Sequence, residues 1–292
     1  MPNNFHLKPI KCGKYELRFD KTLIMGILNV TPDSFSDGNL FLDPNKAIKH
    51  AKRMVKDGAD IIDVGGESSR PGSDPVSEDE ELKRVAAIIK KLAVEINVPI
   101  SIDTYKPKVA GECIKFGASI INDINGLRNK EMIKVAVKCK VPVIIMHMQG
   151  KPKTMQNNPV YKDAVKEIKE FLSQQIKKAK QAGIKGIIID PGIGFGKTTE
   201  HNLQILKNLN DFKELKCPIL VGPSRKSFIG GITGLPVNER LEGTIAAISI
   251  AIMNGANIVR VHDVKECKRA AMVADAVKNS QKNYKYNPDK TS

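Results

Sequence analysis

Tryptophan is absent from this 292-residue chain, and only five tyrosines are present. That leaves few aromatic faces on which the bases of a single strand could stack, which argues against nucleic-acid binding. Cysteine is scarce too. Cys12, Cys113, Cys139, Cys217 and Cys267 are odd in number, scattered, and never in a CxxC pair. The spacing speaks against a disulfide framework or a zinc site and fits reduced thiols in a cytoplasmic protein. Long apolar runs are missing as well. The longest, around Ile245 to Met253, is broken by Ser249 and stops at Asn254-Gly255, short of the about 20 residues that span a bilayer. The N-terminal stretch MPNNFHLKPIKCGK has no apolar core, so no signal peptide is expected. Acidic residues are under-represented: Asp and Glu total 32 against 47 Lys and Arg, a net charge of +15. The excess is mostly lysine on presumed helix faces, as in Lys166-Glu167-Ile168-Lys169-Glu170. It reads as a solvated surface with a preference for anionic ligands rather than as a nucleic-acid footprint. With 41% hydrophobic and 27% charged residues, the composition is that of a soluble globular protein with no membrane role.

What is present is a repeated pattern. Short apolar runs occur at Leu23–Val30, Asp60–Gly66, Pro99–Thr104, Ser119–Asn125, Val141–Met148, Gly186–Gly192, Pro218–Ser224 and Asn257–Asp263. They are strand-length, rich in Ile and Val, and unalternating, as parallel strands covered on both faces should be. Helical patterns lie between them. One opens at Ser77-Glu78-Asp79-Glu80, close to a capping box, and runs through Leu82, Val85, Ile88, Ile89 and Leu92. Another is predicted to start at Asn158-Pro159, to carry Val165, Ile168, Phe171, Leu172 and Ile176, and to stop at Gly183. About eight such units without a linker predict a (β/α)₈ barrel over residues 23–280. A doubly wound open sheet is the competing architecture. Residues 5–19 fall outside the rhythm, and their runs either side of Cys12-Gly13-Lys14 suggest a hairpin, within a 1–22 segment, that closes the bottom of the barrel. Residues 281–292 form a basic, polar tail expected to be disordered.

Nearly every strand ends in a polar group: Asn29, Asp63 and Glu67, Asp103, Asn122, His147, Asp190, Ser224, then Arg260 and His262. Any one of these could be a satisfied core residue or a cap, and Asp63, Asp123 and His147 taken singly read best that way. So many on one rim point to an active-site mouth, which in such barrels lies at the C-terminal strand ends. Arg260 and His262 sit two apart on one strand and so face the same way. With Arg70 in GGESSRPGS and Lys226 in GPSRKSFIG, they make four cations around one mouth and imply an anionic, phosphate-bearing substrate. Asn29 adds a neutral oxygen suited to a Mg²⁺ ion that bridges phosphates. Asp103, Asn122 and Asp190 match the edge of a flat heterocycle carrying several donors and acceptors. The glycine-rich DPGIGFGKTT is not a Walker loop, because Pro191 stands where glycine is needed and its glycines are spaced GxGxG. No HExxH, GxSxG or Cys–His nucleophile pair occurs.

From about Leu23 to about Ala276 the sequence resembles the dihydropteroate synthase family of pterin-binding barrels. The carriers are NVTPDSFSDG (29–38), GGESSRPG (65–72), SIDT (101–104), INDI (121–124), MHMQGKPKTMQ (146–156), DPGIGFGK (190–197), SRKSFIG (224–230) and RVHD (260–263). The resemblance implies a Mg²⁺-dependent, commonly dimeric transferase of folate synthesis. Such enzymes join p-aminobenzoate to hydroxymethyl-dihydropterin diphosphate and release diphosphate. It implies that Asp103, Asn122, Met146, Asp190, Gly222 and Lys226 meet the pterin, and that Asn29, Arg70, Arg260 and His262 take the diphosphate, with Asn29 on the metal. Phe35, Ser69, Pro71, Phe195, Lys226 and Ser227 would frame p-aminobenzoate, and Asp103, Asp190, Lys226 and Arg260 would carry the catalysis. Ser69 stands where the family usually shows threonine, and Asn39 where a second glycine is usual. A pterin-binding methyltransferase domain is the alternative, but it has no diphosphate for Arg70, Arg260 and His262 to grip.

Overall fold

The computed structural model describes residues 7–31 and 44–280. Phe35, Asn39 and the 281–292 tail lie outside the described residues. Two short strands, β1 (Ile10–Cys12) and β2 (Tyr15–Leu17), pair antiparallel as the expected hairpin. The chain then alternates strand and helix. In order follow β3 (Leu23–Asn29), α1 (Pro44–Lys56), β4 (Ile61–Gly65), α2 (Glu78–Glu95), β5 (Ile100–Asp103), α3 (Pro107–Lys115), β6 (Ile120–Asp123) and α4 (Lys130–Cys139). The second half contains β7 (Val143–Met146), α5 (Ala164–Gln181), β8 (Ile187–Asp190), α6 (Thr199–Lys207), β9 (Leu220–Val221), α7 (Ser227–Thr233), α8 (Leu241–Met253), β10 (Ile258–Val261) and α9 (Val264–Lys278).

The eight strands β3 to β10 form one sheet of parallel pairs in the order β8-β7-β6-β5-β4-β3-β10-β9. A parallel bridge from Ile189 to Ile219 joins its two ends. The open-sheet alternative is therefore excluded, and the fold is an α/β TIM barrel.

Side-chain parity explains both the stability of this barrel and the placement of its polar rim. Successive strand residues point to opposite faces. Ile24, Leu28, Ile62, Val64, Ile102 and Ile121 face outward into the core shared with the helices. Leu23, Met25, Ile61, Ile120, Ile144, Ile188, Leu220 and Ile258 face inward and fill the lower barrel. The hairpin plugs that end: Ile10, Cys12 and Leu17 pack into the same inner cluster. Full burial of Ile10 or Leu17 contributes about 1.5–3 kcal/mol each. Two residues further along the strands, the same inward parity delivers Asp63, Asn122, Met146, Asp190 and Arg260 to the upper barrel.

The helices are as expected with two corrections. Ser77 caps α2 by accepting from the Glu80 amide at 3.1 Å, and four acidic residues in its first turn complement the helix dipole. Glu80 does not complete a capping box but pairs with Arg84. Helix α5 does not start at Asn158-Pro159. Asn158 is left-handed (φ 51°), and the Gln149 side chain binds both the amide and the carbonyl of Val160, which holds this stretch as a loop. The cap is Asp163, which accepts from the Lys166 amide at 3.0 Å. In α8, Ile248 and Ile252 belong to the core, whereas Ile250 and Met253 are exposed. Among the described residues no helix is long and apolar enough to cross a membrane.

Candidate active site

Asp63 is the centre of the upper barrel. It is fully buried, and its Oδ2 accepts from Asn122 Nδ2 at 3.1 Å and from Arg260 Nε at 2.6 Å. Arg260 also donates through Nη2 to Asp103 Oδ2 at 2.7 Å. One arginine thus ties the last barrel strand to β4 and β5. Burial alone would lower its pKa, but Asp63 and Asp103 hold it above the usual arginine range. Asp103 is pushed up to about 7 by burial, against the attraction of Arg260. Gly65 lies between these groups and Asn29: a Cβ there would stand in ordinary contact, 3.6 Å from Asp103 Cβ and 3.9 Å from Asn29 Oδ1.

Opposite them, DPGIGFGK makes a tight loop over the end of β8. Asp190 Oδ1 accepts from the Gly192 amide at 2.7 Å. Gly192 has φ 71°, and a Cβ there would fall 1.9 Å from the His147 carbonyl oxygen. Gly194, at φ 80°, leaves room for the Lys226 side chain, which would sit 2.6 Å from a Cβ. Lys226 threads past it to donate to the Ile193 carbonyl and places its amine 4.2 Å from the centre of the Phe195 ring. Phe195 packs with Met146, Ile124, Met148 and Met155 in a small apolar cluster. An apolar wall therefore stands beside carboxylates, an amide and an amine, which is the lining a flat polar heterocycle requires.

The cations are fewer than their number in the sequence suggests. Arg260 is committed to two carboxylates. His262 is driven down to about 4 by burial and by Arg260, Arg225 and Arg70, so its imidazole is neutral at neutral pH. Ser224 Oγ accepts from the His262 amide at 3.2 Å and lies 3.0 Å from His262 Nδ1. A Ser224 proton donated to Nδ1 leaves the ring proton on Nε2, still able to donate to an anion. Arg70 is exposed on the loop after β4, near enough to depress His262.

The sequence matches the pterin binding enzyme family over residues 25–262. It is 52% identical over 273 residues to the dihydropteroate synthase of Clostridium beijerinckii, covering 92% of this chain and 99% of that one. The chain belongs to the dihydropteroate synthase family. Among solved structures of that family, the Yersinia pestis enzyme in a sulfonamide complex superposes with a TM-score of 0.89 at 42% identity, covering 94% of this chain and 100% of that one. The Xanthomonas albilineans dihydropteroate synthase in complex with 7,8-dihydropteroate gives a TM-score of 0.85 at 38% identity, again over 94% and 100%.

Within this dihydropteroate synthase fold, the structure brings together Asn29, Asp103, Asn122, Met146, Asp190, Phe195, Gly222, Lys226, Arg260 and His262 at one mouth. Gly222 borders Arg260, whose Cβ would lie 3.5 Å from a Cβ at that position. Ser69, Arg70 and Pro71 stand on the loop after β4, and Ser227 is exposed at the start of α7. Asp63 is the residue that sequence reasoning undervalued. Its Oδ2 links Asn122 to Arg260, while its Oδ1 is buried with no hydrogen-bond partner among the described residues, so it is only half the satisfied core group that the sequence suggests. Lys197 is legible in the sequence only as part of DPGIGFGKTT. It is buried without a carboxylate in hydrogen-bond reach, donates to the Phe195 carbonyl at 2.9 Å and the His147 carbonyl at 3.3 Å, and lies 3.1 Å from His147 Nδ1. Burial pushes Lys197 well below the usual lysine range and His147 down to about 2.

Lys226 makes the stability of the fold depend on pH. Burial lowers its pKa from 10.5 to about 7, with Asp190 opposing the shift. Between those two values the unfolded chain binds a proton that the folded chain lacks, so this lysine makes stability rise with pH across that window. Asp190→Asn removes the opposing charge. The folded-state titration of Lys226, followed by NMR of its labelled side chain, should move to lower pH and the window should widen. A titration that stays put or moves up would uncouple the pair.

Proposed function

We propose that this chain joins p-aminobenzoate to hydroxymethyl-dihydropterin diphosphate, forming dihydropteroate and releasing diphosphate. The supporting observation is the upper-barrel set itself: Asp103, Asn122, Asp190 and Lys226 beside the Met146–Phe195 wall, with Arg70 and His262 at the rim. The carboxylates and the amide suit the N–H and carbonyl edge of a pterin. Arg70 and the Nε2–H of His262 suit phosphate oxygens.

The residue inventory fits the chemistry. An aromatic amine is neutral near pH 7, so no general base has to activate it. The new bond joins the amine nitrogen to the pterin methylene carbon. The methylene C–O bond breaks, diphosphate leaves with the electron pair, and the amine then releases its proton to solvent. As that bond loosens, positive charge spreads into the pterin, and the ionised forms of Asp103 and Asp190 stabilise it. Positioning supplies the rest, which is why no nucleophile is needed.

Mg²⁺ is part of the proposal. Asn29 ends its strand half-buried at the mouth, and among the described residues no cluster of three or more acidic, His or Cys side chains could cage an ion. One neutral protein oxygen fits Mg²⁺, which commonly takes its remaining ligands from phosphate and water. Bound there, the ion would neutralise charge on the departing diphosphate. The test is direct: incubate the protein with both substrates and Mg²⁺ and look for dihydropteroate and diphosphate. Diphosphate without dihydropteroate, or neither product, would refute the reading.

A further inference from the structure

A buried charge cluster lies beside the pocket and outside it. Lys106 is 8% exposed and follows Asp103 by three residues. Its ammonium donates to Glu67, to Glu81 Oε2 at 2.6 Å, and to the Val76 carbonyl at 2.7 Å. Glu67 is itself shared. Its Oε1 accepts from the Tyr105 hydroxyl at 2.8 Å, and its Oε2 from the Val76 amide at 3.2 Å. Burial alone would lower the Lys106 pKa, but Glu67 and Glu81 raise it above the usual lysine range, so the group stays an ammonium at neutral pH.

Glu67 and Val76 are the two ends of the segment that carries Ser69, Arg70 and Pro71. Between them the loop has only light support. Ser73 Oγ donates to the Ser68 and Arg70 carbonyls at 2.5 and 2.8 Å, Gly72 donates to the Pro152 carbonyl at 3.2 Å, and Asp74 pairs with exposed Lys153. An exposed pair of that kind holds little. A small cavity is lined by Glu67, Glu81 and Tyr105 together with Ser69, Asp103 and Ile124.

We infer that Lys106, through Glu67 and the Val76 carbonyl, clamps the base of the 67–76 loop and thereby holds Ser69, Arg70 and Pro71 over the mouth. Lys106 is then a positioning residue for the diphosphate and p-aminobenzoate subsites, reached from the strand end that carries Asp103. The clamp leaves the tip free to close while fixing where it closes. The inference rests on the reaction proposed above, but its loop part can be read without turnover.

The experiment compares Lys106→Met, Lys106→Arg and Tyr105→Phe with the parent. Hydrogen exchange of peptides spanning 67–76 should speed up about tenfold in Lys106→Met and by less in Tyr105→Phe. In steady-state assays KM for p-aminobenzoate should rise about tenfold in Lys106→Met, with a smaller fall in kcat, and Lys106→Arg should recover part of it. A plain pterin without diphosphate should bind within about twofold of the parent. Should Lys106→Met not fold, Tyr105→Phe carries both measurements. Unchanged exchange in the loop overturns the clamp whether or not the parent makes dihydropteroate. Equal losses for plain pterin and p-aminobenzoate would make the cluster a support of the barrel and also overturn it.

Discussion

Asp103→Asn should keep the fold and lose about 10²–10³ in turnover, the effect of removing one preorganised electrostatic partner of a transition state. The two halves of that expectation have separate structural causes. Stability survives because Arg260 keeps its 2.6 Å contact with Asp63, and because asparagine fills the same space. Turnover falls because the amide has no charge to set against the cation developing in the pterin. The measurement is kcat beside the melting temperature and the affinity for a plain pterin. A variant with near parental turnover would remove Asp103 from the mechanism. A variant that unfolds would show the carboxylate to be a structural counter-ion first.

Much of this site was legible in the sequence because a barrel strand turns position into direction. Asp103, Asn122, Asp190 and Arg260 each end an apolar run, and each shares inward parity with a residue of the lower barrel two or more positions earlier: Ser101, Ile120, Ile188 and Ile258. The unalternating strands hid that parity lower down, where both faces are apolar. The fold was readable from the repeated strand and helix pattern for the same reason. Three things were not readable. The start of α5 was misplaced because Asn158-Pro159 looks like a cap locally, whereas the Gln149 side chain, a tertiary partner, decides the loop. The charge balance of the mouth is not readable because a sequence counts cations but not their carboxylate partners. Of the Lys106 cluster only Glu67 stands out in the sequence, as a strand-end polar group, because the members come from separate segments and meet only in the folded chain.

Arg260→Ala should destabilise the protein by about 3–5 kcal/mol, because it leaves buried carboxylates without their counter-ion. Asp63 has no other charged partner among the hydrogen bonds of the described residues, and its Oδ1 is already buried without any partner. Asp103, pushed up to about 7 with Arg260 in place, should rise further once that attraction is gone. The folded chain then holds a proton that the unfolded chain releases above its ordinary carboxylate value, so stability falls as pH climbs between the two. The deficit of Arg260→Ala should therefore be smaller at pH 5 than at pH 8. Asp63→Asn added to Arg260→Ala should restore a large part of the stability and none of the turnover, since the surplus charge is removed but the positioning of Asp103 by Arg260 is not restored. His262→Ala is the contrast. Its neutral ring touches Ser224 rather than a carboxylate, so it should weaken diphosphate-bearing ligand while leaving melting almost unchanged. Chemical denaturation at the two pH values, with calorimetry on plain pterin and on pterin diphosphate, separates these roles. An Arg260→Ala protein as stable as the parent, or one that Asp63→Asn fails to rescue, would mean that the carboxylates find protons or water more cheaply than the geometry implies, and Arg260 would return to the rim as a phosphate ligand.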